Sequence, residues 1–159
     1  MPTSPAAGPP AYAAATAPAS RPGPVTIAGI VLIVLGGLVA LAGLAAFAVG
    51  NIVGGMFAFG TQGSSVAGAI GGVVAVFAVI LIAWGVLEVV TGIFTLSGQS
   101  WARITGIVLS IIGVLFSLGG LGSRGGGIVF AIVVLAAYGY TIWALATNGA
   151  WFNRARSGT

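Results

Sequence analysis

The chain has 159 residues, of which 58% are hydrophobic and only 4% are charged. A soluble domain carries about 25% charged residues, so this composition excludes a water-soluble globular protein and indicates a chain whose solvent is lipid. The net charge of +4 comes from arginines scattered at the ends of apolar runs, which argues against nucleic-acid binding and favours membrane-flanking charge.

Missing residue types exclude most enzyme classes. The sequence contains no Cys, His, Asp or Lys, and Glu88 is its only acidic residue. Metal sites built on Cys or His, nucleophiles activated by a neighbouring base, paired carboxylates and a phosphate-binding lysine therefore cannot be assembled. We expect a protein that is not an enzyme, with no catalytic residues, no metal and no cofactor.

The chain begins with a proline-rich tail, and four apolar segments follow. All seven prolines lie within residues 1–24, which predicts a disordered tail because proline fixes φ and removes a backbone donor. About 20 apolar residues suffice for a helix to cross a bilayer, so residues 25–147 are predicted to form a transmembrane domain. Its four spans are predicted at residues 25–49, 73–96, 104–118 and 128–147.

The segments between these spans are predicted to be turns and one long loop. Residues 50–72, rich in Gly, Ser, Asn and Gln, read as the longest loop, lying partly in the membrane interface. Residues 97–100 and 119–127 read as short turns, and residues 148–159 as a short basic tail. The sequence thus predicts an all-α integral membrane protein folded as a four-helix bundle.

The distribution of arginines predicts the orientation. Cytoplasmic loops carry an excess of positive charge, and Trp concentrates at membrane interfaces. With the N-terminus inside, only Arg124 falls outside, which predicts a multi-pass plasma-membrane protein with both termini cytoplasmic. The topogenic and interfacial residues on the inner side are Arg21, Trp101, Arg103, Trp151, Arg154 and Arg156.

Glycines recur every seven residues along the predicted spans. A seven-residue period keeps one face of a helix lined with small residues, and such faces drive helix association in lipid. A glycine-bordered pore is the alternative, but the stripes lack companion polar residues. The predicted packing glycines are Gly29, Gly36, Gly43, Gly85, Gly92, Gly106, Gly113 and Gly120.

The first and third spans also resemble each other. Residues 26–43 align with residues 103–120 at nine of eighteen positions, whereas chance would give about 15–20% in apolar helices. The second and fourth spans align more weakly. We therefore expect a duplicated two-helix hairpin, with Glu88 aligned to apolar Ile142 and breaking the symmetry.

The turn into the third span carries a family resemblance. Trp101-Ala102-Arg103-Ile104, followed by Gly106-Ile107-Val108-Leu109 and preceded by Gly85-Val86-Leu87-Glu88, is similar to a pattern in many small four-helix membrane proteins of actinobacteria. The resemblance covers most of residues 25–156 and extends to their proline- and alanine-rich arms. It implies a membrane location and a four-helix fold, and no biochemical activity.

Glu88 is the one ionisable group predicted at depth in the membrane. A carboxyl in that position is costly and is by default a candidate functional site, with Ser110, Tyr138 and Thr141 at similar depth as potential partners. The first hypothesis is a structural, accessory or interaction protein that packs through glycine faces, as a homo-oligomer or in a larger membrane complex. The alternative is a small proton- or cation-coupled transporter or channel subunit that uses Glu88.

Overall fold

The computed structural model describes residues 20–60, 65–121 and 126–157, and within these ranges all regular structure is helical. Helix α1 spans Gly23–Gly60, α2 spans Ser65–Leu96, α3 spans Ser100–Gly120, α4 spans Gly126–Thr147 and α5 spans Gly149–Ser157. Stretches of α1 to α4 are long and apolar enough to cross a membrane. The structure confirms the predicted all-α four-helix bundle.

Each of the four long helices packs mainly against two of the other three. Helix α1 packs on α2 and α4, and α3 packs on α2 and α4. The closest pairing is between α1 and α2, which approach through their backbones. Large apolar side chains cover the outside, including Ile52, Phe77 and Val129, as expected for a surface that faces lipid.

The predicted long loop at residues 50–72 is wrong for most of its length. Residues 50–60 continue α1, and residues 65–72 already belong to α2. Glycine is tolerated in membrane helices, and the Asn51 side chain is satisfied by its own helix, since Nδ2 donates to the Phe47 carbonyl at 2.7 Å. Only residues 61–64 of this segment lie outside the described residues.

The turn between α2 and α3 follows the prediction. Gly98 has φ 77°, a left-handed conformation that glycine adopts without strain. The Gly98 N–H donates to the Thr95 carbonyl and the Gln99 N–H to the Phe94 carbonyl, each at 3.1 Å. This pattern is a Schellman motif, which ends α2 and reverses the chain into α3.

The predicted basic tail also differs, because residues 149–157 form α5. Phe152 is buried against Val25, Ala28, Ala144 and Leu145. The Arg103 guanidinium lies directly against Gly149 at the start of α5, where an added Cβ would lie 2.5 Å from Nη1. Helix α5 therefore closes one end of the bundle, which we call the Arg103 end.

Residues 1–19 of the predicted N-terminal tail lie outside the described residues, as does Arg124. The side chains of Arg154 and Arg156 are likewise outside the description. Arg21 is exposed, two residues before α1 begins.

Candidate functional site

The side chain of Glu88 is fully buried inside the bundle. It projects from α2 towards α1 and α4, and its Cβ faces Gly36 of α1. The Tyr138 hydroxyl of α4 donates a hydrogen bond to Oε1 at 2.8 Å. Trp84, one turn earlier on α2, donates to the same oxygen from Nε1 at 3.1 Å. One carboxyl oxygen thus links two helices that are not neighbours in the chain.

The other carboxyl oxygen, Oε2, has no hydrogen-bond partner among the described residues. The same holds for three fully buried hydroxyls, those of Thr91, Thr95 and Ser110. Buried polar groups are normally bonded, and an unpartnered one points to strain, to an ordered water or to a ligand. Four such atoms concentrate in the interior of this bundle.

Other hydroxyls in the helices donate a hydrogen bond to a backbone carbonyl of their own helix. Ser117 donates to the Gly113 carbonyl at 2.8 Å, Thr141 to the Ala137 carbonyl at 2.9 Å and Thr147 to the Trp143 carbonyl at 2.8 Å. This bond to the carbonyl four residues earlier is the usual solution for Ser and Thr in a helix. Within the described ranges, the hydroxyls of Thr91, Thr95 and Ser110 do not make this bond, so their oxygens are available to another partner.

Three of these central groups form a polar column along α2. Glu88, Thr91 and Thr95 lie at intervals of three and four residues, which places them on one face of α2. The methyl carbon of Thr91, Cγ2, lies 3.5 Å from the position of a Cβ on Gly106, so this residue packs against α3 through its methyl group. Ser110 lies one turn beyond Gly106 on that helix. The column runs from Glu88 towards the Arg103 end.

The structure brings together some of the predicted polar partners and not others. Tyr138 binds Glu88 directly, whereas Thr141 binds its own helix and Ser110 has no partner among the described residues. Trp84, Thr91 and Thr95 were not predicted. Their spacing from Glu88 by multiples of a helical turn is a signal in the sequence that could have identified them.

The predicted packing glycines of α1 and α2 lie against each other. A Cβ on Gly36 would meet the Gly85 carbonyl oxygen at 2.7 Å, and one on Gly92 would meet the Gly29 carbonyl oxygen at 2.8 Å. Gly43 faces the Ala78 carbonyl in the same way, at 3.0 Å. This stripe is therefore occupied within the chain and is not free for a partner.

The glycines of α3 accommodate side chains instead of a backbone. Gly113 lies against the ring of Tyr138, and Gly106 lies against Leu145, whose Cδ1 would be 2.9 Å from an added Cβ. The side-chain space at Gly120 lies outside the described residues. Gly113 leaves room for the aromatic ring whose hydroxyl reaches Glu88.

Arg103 lies at the end of the bundle and does not pair with Glu88. Its Nε donates to the Leu145 carbonyl at 2.8 Å and its Nη2 to the Ala146 carbonyl at 3.2 Å. A cation in this position stabilises the C-terminus of α4 by binding its unsatisfied carbonyls. Trp101 is half exposed nearby, and Trp151 packs edge-on to Phe152 with ring centroids 4.8 Å apart.

An apolar cleft adjoins the polar centre on the side away from the Arg103 end. It has a volume of about 650 Å³ and is bordered by all four long helices. Trp84 and Tyr138, the two donors to Glu88, form part of its wall. The carboxyl thus lies behind two aromatic side chains that face an apolar space.

These features define a small multi-pass membrane protein with a buried carboxyl centre. Comparisons with protein-family models, with curated proteins and with solved structures found no match. Its function is therefore inferred from the geometry of the centre.

Proposed function

We propose that this membrane protein is a small proton- or cation-coupled transporter or channel subunit, with Glu88 as the coupling group. The observation that supports the proposal is a fully buried carboxyl whose Oε2 has no hydrogen-bond partner in the described part of the chain. A carboxyl kept only to join helices would gain from bonding both oxygens, since an unsatisfied buried polar atom costs about 1–3 kcal/mol. A free oxygen is what proton or cation exchange requires.

The polar column supplies a route to that oxygen. Thr91 and Thr95 succeed Glu88 at one-turn intervals of about 5 Å, and each hydroxyl can donate and accept a hydrogen bond. Intramembrane ionisable residues that line such polar paths carry protons or ions in pumps and transporters. The column ends near the turn at Gly98, so exchange is proposed with the side of the membrane at the Arg103 end.

Flux in reconstituted vesicles tests this function. Wild-type protein should conduct a pH-dependent proton or cation flux that Glu88→Gln abolishes, because glutamine has a similar shape but cannot exchange a proton. Thr91→Val should slow the flux, since it removes a column hydroxyl while keeping the side-chain volume. Thr141→Val is the matched control, because that hydroxyl binds its own helix. Equal flux in wild type and Glu88→Gln would refute the proposal.

A second candidate is an accessory role, favoured by glycines that remain open. A Cβ on Gly55, Gly68 or Gly72 would meet nothing within 4 Å. Gly68 and Gly72 are four residues apart on α2, a spacing through which membrane helices associate closely. The accessory role is therefore proposed for this end of the α1–α2 hairpin.

Self-association of labelled protein in vesicles, followed by energy transfer, tests the accessory role. Gly68→Leu should reduce it because the larger side chain separates the helices. Gly139→Leu is the control, since Gly139 is also open but lies on α4. Equal energy transfer in both variants and in wild type would contradict association through this face.

A further inference from the structure

The cleft beside Glu88 has the dimensions of a ligand site. Its volume of about 650 Å³ falls within the about 300–1,000 Å³ typical of small-molecule pockets. It lies between the α1–α2 hairpin and the α3–α4 hairpin, and it is lined almost entirely by apolar atoms. A ligand that fits must therefore be largely apolar.

Aromatic rings surround the part of the cleft nearest Glu88. Trp84 of α2 and Phe116 of α3 meet edge to face, with ring centroids 6.4 Å apart. Tyr138 of α4 also lines this part of the cleft, and Phe130 lines the cleft about two turns earlier on the same helix. The faces of aromatic rings attract cations, and the attraction is stronger where water is excluded.

The charges around the cleft favour a cationic ligand over an anionic one. None of its lining residues is charged, and Glu88 lies behind Trp84 and Tyr138, which both donate to its Oε1. Glu88 is also the only acidic residue in the sequence. Among the described residues, no cation pairs with Glu88, because the Arg103 guanidinium binds the carbonyls of Leu145 and Ala146 instead.

We propose that the cleft binds a lipophilic monocation, with its apolar body between the hairpins and its charge against Trp84 and Tyr138, in front of Glu88. This inference rests on the proposed function and names the substrate class of the same centre. Cation binding and ionisation of Glu88 favour each other, because each supplies the opposite charge that the other lacks.

The proposed linkage depends on few titratable groups. Tyr138 of α4 is the titratable side chain that faces Glu88 in the described structure, and α1 presents Gly36 to it. An ionised Glu88 attracts a cation more strongly than a protonated one. The affinity for the cation should therefore rise with pH.

Binding of two hydrophobic ions to protein in lipid nanodiscs tests this assignment. Tetraphenylphosphonium and tetraphenylborate have nearly the same size and shape but opposite charge. Equilibrium dialysis against empty nanodiscs should show that the phosphonium binds at least about tenfold more tightly, with an affinity that rises with pH. Glu88→Gln should weaken phosphonium binding about tenfold or more and make it independent of pH.

A second pair of variants tests the location independently of Glu88. Leu38 lines the cleft, so Leu38→Trp should narrow it and weaken phosphonium binding. Leu41→Trp is the matched control on the same helix, because Leu41 is 63% exposed and lies outside the cleft lining. Both variants keep Glu88 and are compared only after their helical content matches wild type.

The outcomes separate this inference from the proposed function. Equal binding of the two ions, or unchanged phosphonium binding in Leu38→Trp, would overturn the inference and leave an apolar cleft that takes lipid chains. Selective phosphonium binding without any vesicle flux would support the inference and refute the proposed function. Flux that needs Glu88, without phosphonium binding, would support the function and refute the inference.

Discussion

At the scale of single residues, Glu88 is held in an apolar bundle by two donors of different origin. Trp84 is four residues earlier on the same helix, so this hydrogen bond lies within α2 and does not depend on how α2 packs against the other helices. Tyr138 comes from α4, so the second bond exists only in the assembled bundle. The carboxyl therefore contributes to tertiary structure through a single oxygen.

This arrangement predicts different effects for two substitutions at Glu88. Glu88→Gln retains a carbonyl oxygen for Tyr138 and Trp84, so the free energy of unfolding in detergent should stay close to wild type. Glu88→Ala leaves both donors without an acceptor and should destabilise by about 1–2 kcal/mol. Leu87→Ala, at a half-exposed neighbouring site, is the control for loss of apolar volume. A glutamine variant as unstable as the alanine variant would contradict this role.

The importance of Glu88 could be predicted from sequence, but its surroundings could be predicted only in part. A lone carboxyl among apolar residues is conspicuous, and equal depth along the helices suggested Tyr138. The sequence could not predict that the hydroxyls of Thr91, Thr95 and Ser110 lack a hydrogen-bond partner among the described residues. Whether a Ser or Thr binds its own helix depends on its side-chain rotamer, and the sequence does not determine that.

At the scale of helices, the α1–α2 pair is organised by a constant antiparallel register. Gly29 faces Gly92, Gly36 faces Gly85 and Gly43 faces Ala78. Each step is seven residues on both helices, so every second turn brings small residues together. Close approach of the backbones gives this pair its packing contacts, since apolar burial gains nothing between helices in lipid.

Two adjacent glycines of α1 should respond oppositely to alanine. A Cβ on Gly36 would lie 2.7 Å from the Gly85 carbonyl oxygen and 2.9 Å from the Val89 nitrogen, whereas one on Gly37 would meet nothing within 4 Å. Gly36→Ala should destabilise by about 1–3 kcal/mol, because backbone must move. Gly37→Ala should be neutral or stabilising by up to about 1 kcal/mol, because alanine favours the helix. Denaturation in mixed micelles measures both.

Equal stability of the two variants would show that α1 and α2 do not pack through Gly36. Gly85→Ala offers an independent check, because a Cβ there would meet the Gly36 carbonyl oxygen and the Ala40 nitrogen. It should behave like Gly36→Ala and unlike Gly37→Ala.

Aligned glycines of the two hairpins show whether the apparent sequence repeat extends to helix packing. Gly36 and Gly113 align in sequence, yet Gly36 meets a backbone and Gly113 meets the Tyr138 ring. Gly139, which aligns with Gly85, meets nothing within 4 Å. The glycine period predicted which faces of α1, α2 and α3 point inward. It could not predict what each glycine meets, because that depends on the partner helix.

At the scale of the whole molecule, the hairpins differ in length. Helix α1 has 38 residues and α2 has 32, about 57 Å and 48 Å, whereas α3 and α4 have 21 and 22 residues, about 32 Å and 33 Å. The hydrocarbon core is about 30 Å thick, which α3 and α4 match. The extra length of α1 and α2 comes from residues 50–60 and 65–72. The sequence predicts a loop there because the segment is rich in Gly, Ser, Asn and Gln.

The Arg103 end and the opposite end of the bundle are chemically distinct, and this asymmetry leads to a prediction of topology. An even number of spans places the start of α1 and the end of α4 on the same side, where Arg21, Arg103 and α5 lie. Positively charged loops stay in the cytoplasm. We expect the Arg103 end to be cytoplasmic and the connection between α1 and α2 to be external.

Cysteine labelling in intact cells tests this topology without background, because the sequence contains no cysteine. Single cysteines replacing Ser4 and Ser157 should resist a membrane-impermeant thiol reagent, while one replacing Ser64 should react. Permeabilised cells are the control, since all three positions should then label if the protein is accessible. Labelling at Ser64 alone would support the orientation. Labelling of Ser4 and Ser157 from outside, with Ser64 protected, would show the inverted topology. Labelling of Ser4 but not Ser157 would contradict the even number of spans.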